Sequence, residues 1–381
     1  MEASNPNGSA PGWLRPVRAD NPLLPSVRGD SLIDYMAIRK NSPSRRTILT
    51  GAGIGLGSGL LAQSALGART EPAAKIWSNE YWAKKASAEG EVSLYIYRKR
   101  ATAPKPGQAP LPVLFLVHGS SVSSRPSFDL TVPGHGEYSV MNTFAQFGFD
   151  VWTMDHENYG RSSRTNSNSD IASGVEDLKA AVELVAHETG QSKIHIFGES
   201  SGGLRAGAYA MSHPERVDRL ILAAFTYKGE NSPTLTERAK QLDYYRTHNR
   251  RLRDRAMIGT IFTRDKAGTS DPALAEFVAD QELKFGDQVP TGTYLDMTAH
   301  LPVVDPVKVL APVLLIRGEY DGIATVEDLL AFYKQLPNGD RQFVILPGMA
   351  HSVVSGLNRQ LFWHAMRAFL TMPAQTAPPS A

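Results

Sequence analysis

A serine at position 200 stands in the run Gly198-Glu199-Ser200-Ser201-Gly202, where an apolar stretch gives way to a helical pattern. The spacing is Gly-x-Ser-x-Gly, and its glycines have a steric reason: on a tight strand-to-helix turn, side chains at 198 and 202 would collide with neighbouring backbone. A hydroxyl is barely nucleophilic until a base takes its proton, and the base needs an acid to orient it. Two later apolar runs supply both. Residues 312–316 lead into Arg317-Gly318-Glu319-Tyr320-Asp321-Gly322, which offers Asp321 as the acid. Residues 344–346 lead through Pro347-Gly348-Met349-Ala350 into His351, which offers the base. Each member follows a different strand-like run, in the chain order Ser, Asp, His.

Each position has rivals. Ser201 is the competing nucleophile, but it would place Glu199 where the turn needs a small residue. Glu319 and Glu230 are alternative acids, and His300 and His364 alternative bases, the first in an irregular region and the second within a helical pattern. His118 is expected to order its own loop, and Glu199 receives no chemical role.

The elements that must position these residues emerge after residue 90. Residues 92–97 alternate like a strand, and residues 112–117 are continuously apolar, as in a buried parallel strand. Similar runs occupy 149–154, 193–197, 220–224, 312–316 and 342–346. Helical patterns at 170–188, 203–212, 325–335 and 357–370 fall between or after them. Repeated strand-then-helix order predicts an α/β fold with a mostly parallel sheet covered on both faces. From 227 to 301 no strand is evident, and helical patches broken by Gly and Pro predict an inserted helical cap. Within it Arg246, Arg250, Arg251, Arg253 and Arg255 read as a solvated helix face in preference to a cluster attracting an anionic substrate, while Tyr244, Tyr245, Phe262 and Phe285 are expected to pack against the core or line a pocket.

Residues 92–370 resemble the α/β-hydrolase superfamily. His118-Gly119-Ser120-Ser121 is similar to that family's oxyanion-hole loop, and 155–162 to its D-x-x-G-x-G-x-S turn, with Asn158 in place of the first glycine. The resemblance implies the α/β-hydrolase fold and assigns the backbone N–H groups of Ser120 and Ser201 as oxyanion donors. It leaves the reaction open among ester, lactone, peptide and carbon–carbon bond hydrolysis and perhydrolysis. A carboxylesterase is the leading expectation, and a ligand-binding protein on a hydrolase scaffold is the alternative from another class.

Composition narrows the field. The 381 residues carry 42% hydrophobic and 20% charged side chains, a globular balance, and a net charge of only +2 without a basic block, which argues against nucleic acid as the partner. With no cysteine, disulfides, thiolate-bound zinc, iron–sulfur clusters and a cysteine nucleophile are excluded. No metal or nucleotide motif is found, so no cofactor is expected, and a small molecule is the expected substrate.

The first 67 residues read as an address label. A polar, Pro- and Ser-rich stretch without hydrophobic period precedes Arg45-Arg46 and a weakly apolar, glycine-studded run ending near Ala65 and Gly67. That pattern resembles a twin-arginine export signal, implying the export machinery as a partner and a periplasmic or secreted product. Glycines at 51, 53, 55, 57 and 59 make the run a poor membrane anchor, and a start at Met36 would give a conventional short leader. The expected division is thus 1–67 leader, 68–226 first part of the core, 227–301 cap, 302–372 second part of the core and 373–381 tail.

Overall fold

A computed structural model describes residues 76–373. The expected export signal, with Arg45, Arg46 and Gly67, and residues 374–381 of the expected tail lie outside the described residues. Among the described residues there are ten strands: β1 (Trp77–Ser87), β2 (Gly90–Arg100), β3 (Val113–Val117), β4 (Asp150–Met154), β5 (Ile194–Glu199), β6 (Val217–Ala223), β7 (Arg250–Leu252), β8 (Gln288–Pro290), β9 (Val313–Gly318) and β10 (Arg341–Leu346). Eight of them form one sheet in the order β1-β2-β4-β3-β5-β6-β9-β10. From β4 to β10 the neighbours are parallel, while β2 is antiparallel to both β1 and β4.

The first helices are α1 (Ser124–Phe128), α2 (Val140–Gln146), α3 (Ile171–Thr189) and α4 (Ser201–Ser212). Between β6 and β9 the chain makes α5 (Pro233–Ala239), α6 (Leu242–Thr247), α7 (Arg255–Thr263), α8 (Pro272–Glu282) and α9 (Gly292–Leu295); α10 (Val326–Gln335) and α11 (Arg359–Leu370) follow. The strand at the centre shows why the fold forms. In β3, Val113, Phe115 and Val117 belong to the buried cluster that includes side chains of α3, α4 and α10, while Leu114 and Leu116 belong to the one that includes side chains of α2 and α11. A strand buried on both faces must be apolar at every position, and each such side chain contributes roughly 1.5–3 kcal/mol of burial. Sequence also sets the ends of α3: the Asp170 carboxylate accepts from Ser173 N at 2.8 Å, and Gly190 closes the helix at φ 71°.

Two sequence expectations need correction. Strand β1 has no counterpart among the expected runs, because an edge strand with Asn79, Glu80, Lys84 and Lys85 lacks the apolar density of a buried strand; full-length pairing with β2 forms it. The interval 227–301 was expected to be strand-free, yet β7 and β8 pair there as an antiparallel ribbon. Three residues each, with Arg250 and Arg251 in one of them, are too few and too polar for a period-two signal.

Candidate active site

The serine turn is built by exclusion. Ser200 holds φ 58° and ψ −126°, a conformation costing on the order of 1–3 kcal/mol. A Cβ at Gly198 would lie 2.3 Å from Gly202 O, and one at Gly202 would lie 2.2 Å from Val117 O, so only glycine lets the turn close against β3. Ser200 N donates to Ala223 O at 2.9 Å, pinning the turn to the end of β6.

The ends of β9 and β10 bring the other two residues to the same rim. Tyr320 N donates to Met349 O and Glu319 N to Leu346 O, and a Cβ at Gly318 would lie 2.2 Å from Ala350 O, so the two loops run in direct contact. The outcome is a chain of hydrogen bonds: His351 Nε2 lies 3.0 Å from Ser200 Oγ, and His351 Nδ1 lies 2.9 Å from Asp321 Oδ1. Ile323 N also donates to Asp321 Oδ1, at 3.0 Å. Burial opposes ionisation of Asp321, but the charge and hydrogen bond of His351, the Ile323 N–H and the Arg264 charge together hold its carboxyl below the usual range. A carboxylate on Nδ1 fixes the tautomer in which Nε2 faces the serine as an acceptor, so the arrangement is able to deprotonate Ser200.

The rivals are engaged elsewhere. Glu319 accepts from Gly348 N at 2.8 Å, Glu230 is exposed beside Lys228, His300 bonds Asp296, and His364 is exposed on α11. The Ser201 hydroxyl is buried and accepts from Ser120 Oγ at 2.8 Å. His118 Nδ1 bonds Gly119 O at 2.8 Å, and its Nε2 accepts from His156 N at 3.1 Å. Burial, with the neighbouring His156 and Arg205, keeps its pKa well below the ordinary histidine value, so it orders the loop as a neutral ring.

That loop carries Ser120. Its hydroxyl accepts from Thr293 Oγ1 at 2.8 Å while donating to Ser201 Oγ, and Tyr159 OH donates to Ser120 O at 3.0 Å. The two residues expected to donate to an oxyanion are thereby tied to each other and to α9. Ser201 also begins α4, whose N-terminal dipole favours negative charge. In the adjoining turn, Asn158 takes φ 70°, the left-handed conformation a glycine would supply, and its side chain bonds Ser167 O, Ser169 Oγ and Thr165 N. The departure from glycine leaves the turn's shape intact, since Asn tolerates this region better than most residues. Gly160 remains essential, because a Cβ there would lie 2.0 Å from Asp155 Oδ2.

Ser200 and His351 open into a pocket that is partly exposed to solvent. Leu130, Tyr138, Ile261, Phe262, Val278 and Val354 give it apolar walls. Of the aromatics singled out in the sequence only Phe262 lines it; Tyr245 packs on Tyr294, Tyr244 stacks on His248, and Phe285 borders a different cleft. The arginine cluster divides likewise. Arg246 and Arg255 pair with surface carboxylates, as a solvated face would, but Arg253 is buried against Glu282, and Arg250 donates to Ser167 O and Asn249 O.

Four residues of the site escaped sequence reasoning. Arg238 and Arg264 line the pocket, Glu199 borders it, and Asp265 offers a carboxylate oxygen within 4.8 Å of both Asp321 and His351. Burial pushes the Glu199 carboxyl up to about 8; the Val354 N–H opposes this and the Asp321 charge adds to it. Asp265, Asp321 and His351 have the proximity of metal ligands, but both ring nitrogens of His351 are occupied by hydrogen bonds, which suits proton transfer. No short sequence pattern marks Arg238, Arg264 or Asp265, and Glu199, though it lies within the serine motif, acquires its high pKa only by burial.

Residues 132–357 match the model of the family described as serine aminopeptidase, S33. The abhydrolase domain-containing protein abhd-5.2 of Caenorhabditis elegans is 34% identical over 85 residues, covering 22% of this chain but only 19% of its own length. The monoacylglycerol lipase of Mycolicibacterium smegmatis is 22% identical over 230 residues, 59% of this chain and 79% of the lipase. Among solved structures, the bromoperoxidase from Bacillus anthracis superposes with a TM-score of 0.56 at 18% identity, over 77% of this chain and 99% of that one. With its family match spanning more than half its length and its sheet in this order, the chain belongs to the serine aminopeptidase S33 family and is an α/β-hydrolase.

Proposed function

We propose that this hydrolase cleaves a carboxylic ester of a small or medium molecule through an acyl-enzyme on Ser200. The observation that carries the reading is the Asp321–His351–Ser200 chain, with its 2.9 Å and 3.0 Å links. Ser200 Oγ attacks the carbonyl carbon as its proton passes to His351 Nε2, and Asp321 supports the resulting imidazolium. Backbone N–H groups of Ser120 and Ser201 stabilise the oxyanion, a contribution of about 3 kcal/mol per donor. The intermediate collapses, and His351 returns the proton to the departing alcohol. Water, deprotonated by the same nitrogen, then attacks the acyl carbon, and collapse of this second intermediate releases the acid as His351 returns the proton to Ser200 Oγ.

The name of the lipase relative, covering most of that protein, supports ester chemistry. Aminopeptidase action fits the pocket less well: an α-ammonium group calls for an ionised carboxylate, whereas the lining offers Arg238, Arg264 and a Glu199 that stays protonated at neutral pH.

A fluorophosphonate probe and a panel of esters, lactones and aminoacyl amides test the proposal. Wild-type protein should be labelled at Ser200 and turn over esters fastest; Ser200→Ala should abolish both, and His351→Ala should lower turnover by ~10³-fold or more. Folded protein that resists the probe would be a binding protein, and preference for lactones or amides would move the bond class.

A further inference from the structure

We propose that Arg238 and Arg264 form an anion-recognition subsite in the pocket wall, so that the preferred ester carries a carboxylate. This rests on the ester-hydrolase reading and narrows its substrate class.

The inference starts from Arg238, an arginine without a counterion among the described residues, and from Arg264, whose one carboxylate contact runs through Nε alone. Within the segment between β6 and β9, Arg246, Arg253 and Arg255 each meet a carboxylate, Arg250 is spent on backbone carbonyls, and Arg251, which does not line the pocket, stands 4.7 Å from the Tyr294 ring centre. Arg238 meets neither carboxylate nor carbonyl. It comes from the end of α5 as a half-buried residue, its one hydrogen bond runs from Nη1 to Met297 Sδ at 3.6 Å, and its guanidinium stands 5.1 Å from the Tyr294 ring centre. Among the described residues no carboxylate oxygen lies within 4.0 Å of it. Arg264 touches Asp265 only through Nε, at 3.4 Å, and its terminal nitrogens hydrogen-bond no described protein atom.

Both side chains line the cavity that holds Ser200 and His351. Partial withdrawal of the Arg238 charge from water, beside the like charge of Arg264, is costly unless a counter-charge arrives. Burial, with Arg264 and Arg251 nearby, brings Arg238 down to about 10, as expected for a cation among cations. The one carboxyl in the lining cannot compensate, because Glu199 is protonated at neutral pH. A guanidinium presents paired donors that match a carboxylate in a bidentate fashion, so a substrate anion would satisfy what the protein leaves unpaired. Ile261, Phe262 and Val278 line the same pocket and would meet the apolar part of such a substrate.

The test compares para-nitrophenyl pentanoate with the para-nitrophenyl half-ester of glutaric acid, two acyl groups of similar length that differ in the terminal carboxylate. Wild-type protein should favour the half-ester in kcat/KM by about tenfold or more. Arg238→Gln should shrink that ratio toward one, mainly through KM, and Arg238→Lys should restore part of it. Free glutarate should slow fluorophosphonate labelling of wild-type Ser200 and protect R238Q far less. A wild-type ratio of one or below, or a ratio that R238Q leaves unchanged, overturns the proposal. Should R238Q fail to fold, the wild-type ratio and glutarate protection decide. If both esters are inert and the probe leaves Ser200 unlabelled, the ester-hydrolase reading itself falls; labelling with turnover of the neutral ester alone defeats only the anion subsite.

Discussion

Asp265 places a carboxylate oxygen within 4.8 Å of a ring nitrogen of His351, so the imidazole has two acids for neighbours, Asp321 in hydrogen-bond contact and Asp265 through space. Asp265 Oδ2 and Asp321 Oδ2 are both buried without a hydrogen-bond partner. As Ser200 attacks, His351 becomes positive, and both carboxylates favour that state. At such a separation a unit charge contributes up to about 3 kcal/mol with an effective dielectric near 20. Asp265→Asn should therefore lower kcat by roughly tenfold. Asp321→Asn, which loses the Nδ1 acceptor and the tautomer, should lower it by ~10³–10⁴-fold. Steady-state kinetics of both variants on one ester check the order; equal losses would refute the separate roles.

Glu199 links activity to alkaline pH. Its carboxyl titrates near 8 beside Ser200, so raising the pH past that value installs a negative charge close to the developing oxyanion. Turnover should fall above about pH 8 in wild-type protein, and Glu199→Gln should extend the plateau upward. Stability has the same sign. A carboxyl whose folded pKa exceeds its unfolded value leaves the unfolded chain with fewer bound protons between about 4.5 and 8, so stability declines through that window as pH rises. E199Q should remove that decline, gaining on wild type by a few kcal/mol by pH 8. Thermal melts at several pH values measure the difference, and parallel curves would reject it.

The glycines of the serine turn make a harder prediction. An alanine Cβ at Gly202 would stand 2.2 Å from Val117 O and 2.6 Å from His118 O, both backbone atoms that cannot rotate away. Gly202→Ala must push the turn off β3, and with it Ser200 from His351 and Ser201 from Ser120. We expect loss of more than about 2 kcal/mol of stability and nearly all turnover. Gly259→Ala, with nothing within 4 Å of the added carbon, is the control and should behave like wild type.

These cases show what local sequence encodes. The serine turn, Asp321 and His351 were legible because each combines a chemical residue type with a boundary between an apolar run and a loop, and both signals are local. The buried strands were legible for the same reason: β3 is apolar at every position because helices cover both its faces. Strand β1 was not, since an exposed edge strand needs no apolar excess and is specified by its partner. Arg238, Arg264 and Asp265 were not, because their significance lies in which carboxylate each does or does not meet across the fold. The arginine cluster taken as one solvated face divides for the same reason: Arg253 finds Glu282 from α8, and nothing in a five-residue window reveals that.

That Arg253–Glu282 pair separates folding from positioning. Both side chains are buried, and besides Arg253 the Glu282 carboxylate accepts from Ser123 N at 3.0 Å and Ser123 Oγ at 2.6 Å. Arg253 Nη1 in turn reaches Ser121 O at 3.3 Å. The pair therefore holds Ser121 and Ser123, which follow Ser120, the expected oxyanion donor. Arg253→Met alone strands a buried carboxylate and should cost about 3–5 kcal/mol. The double variant Arg253→Met with Glu282→Leu removes both charges together, and replacing a buried pair with apolar groups of similar volume is often neutral, so most of that stability should return. Activity should not return with it, because Ser121 O and Ser123 N stay without their partners and the oxyanion loop loses its anchor. Urea denaturation alongside kcat measures the two effects independently. A double variant that regains stability and turnover together would show that the pair serves the fold alone.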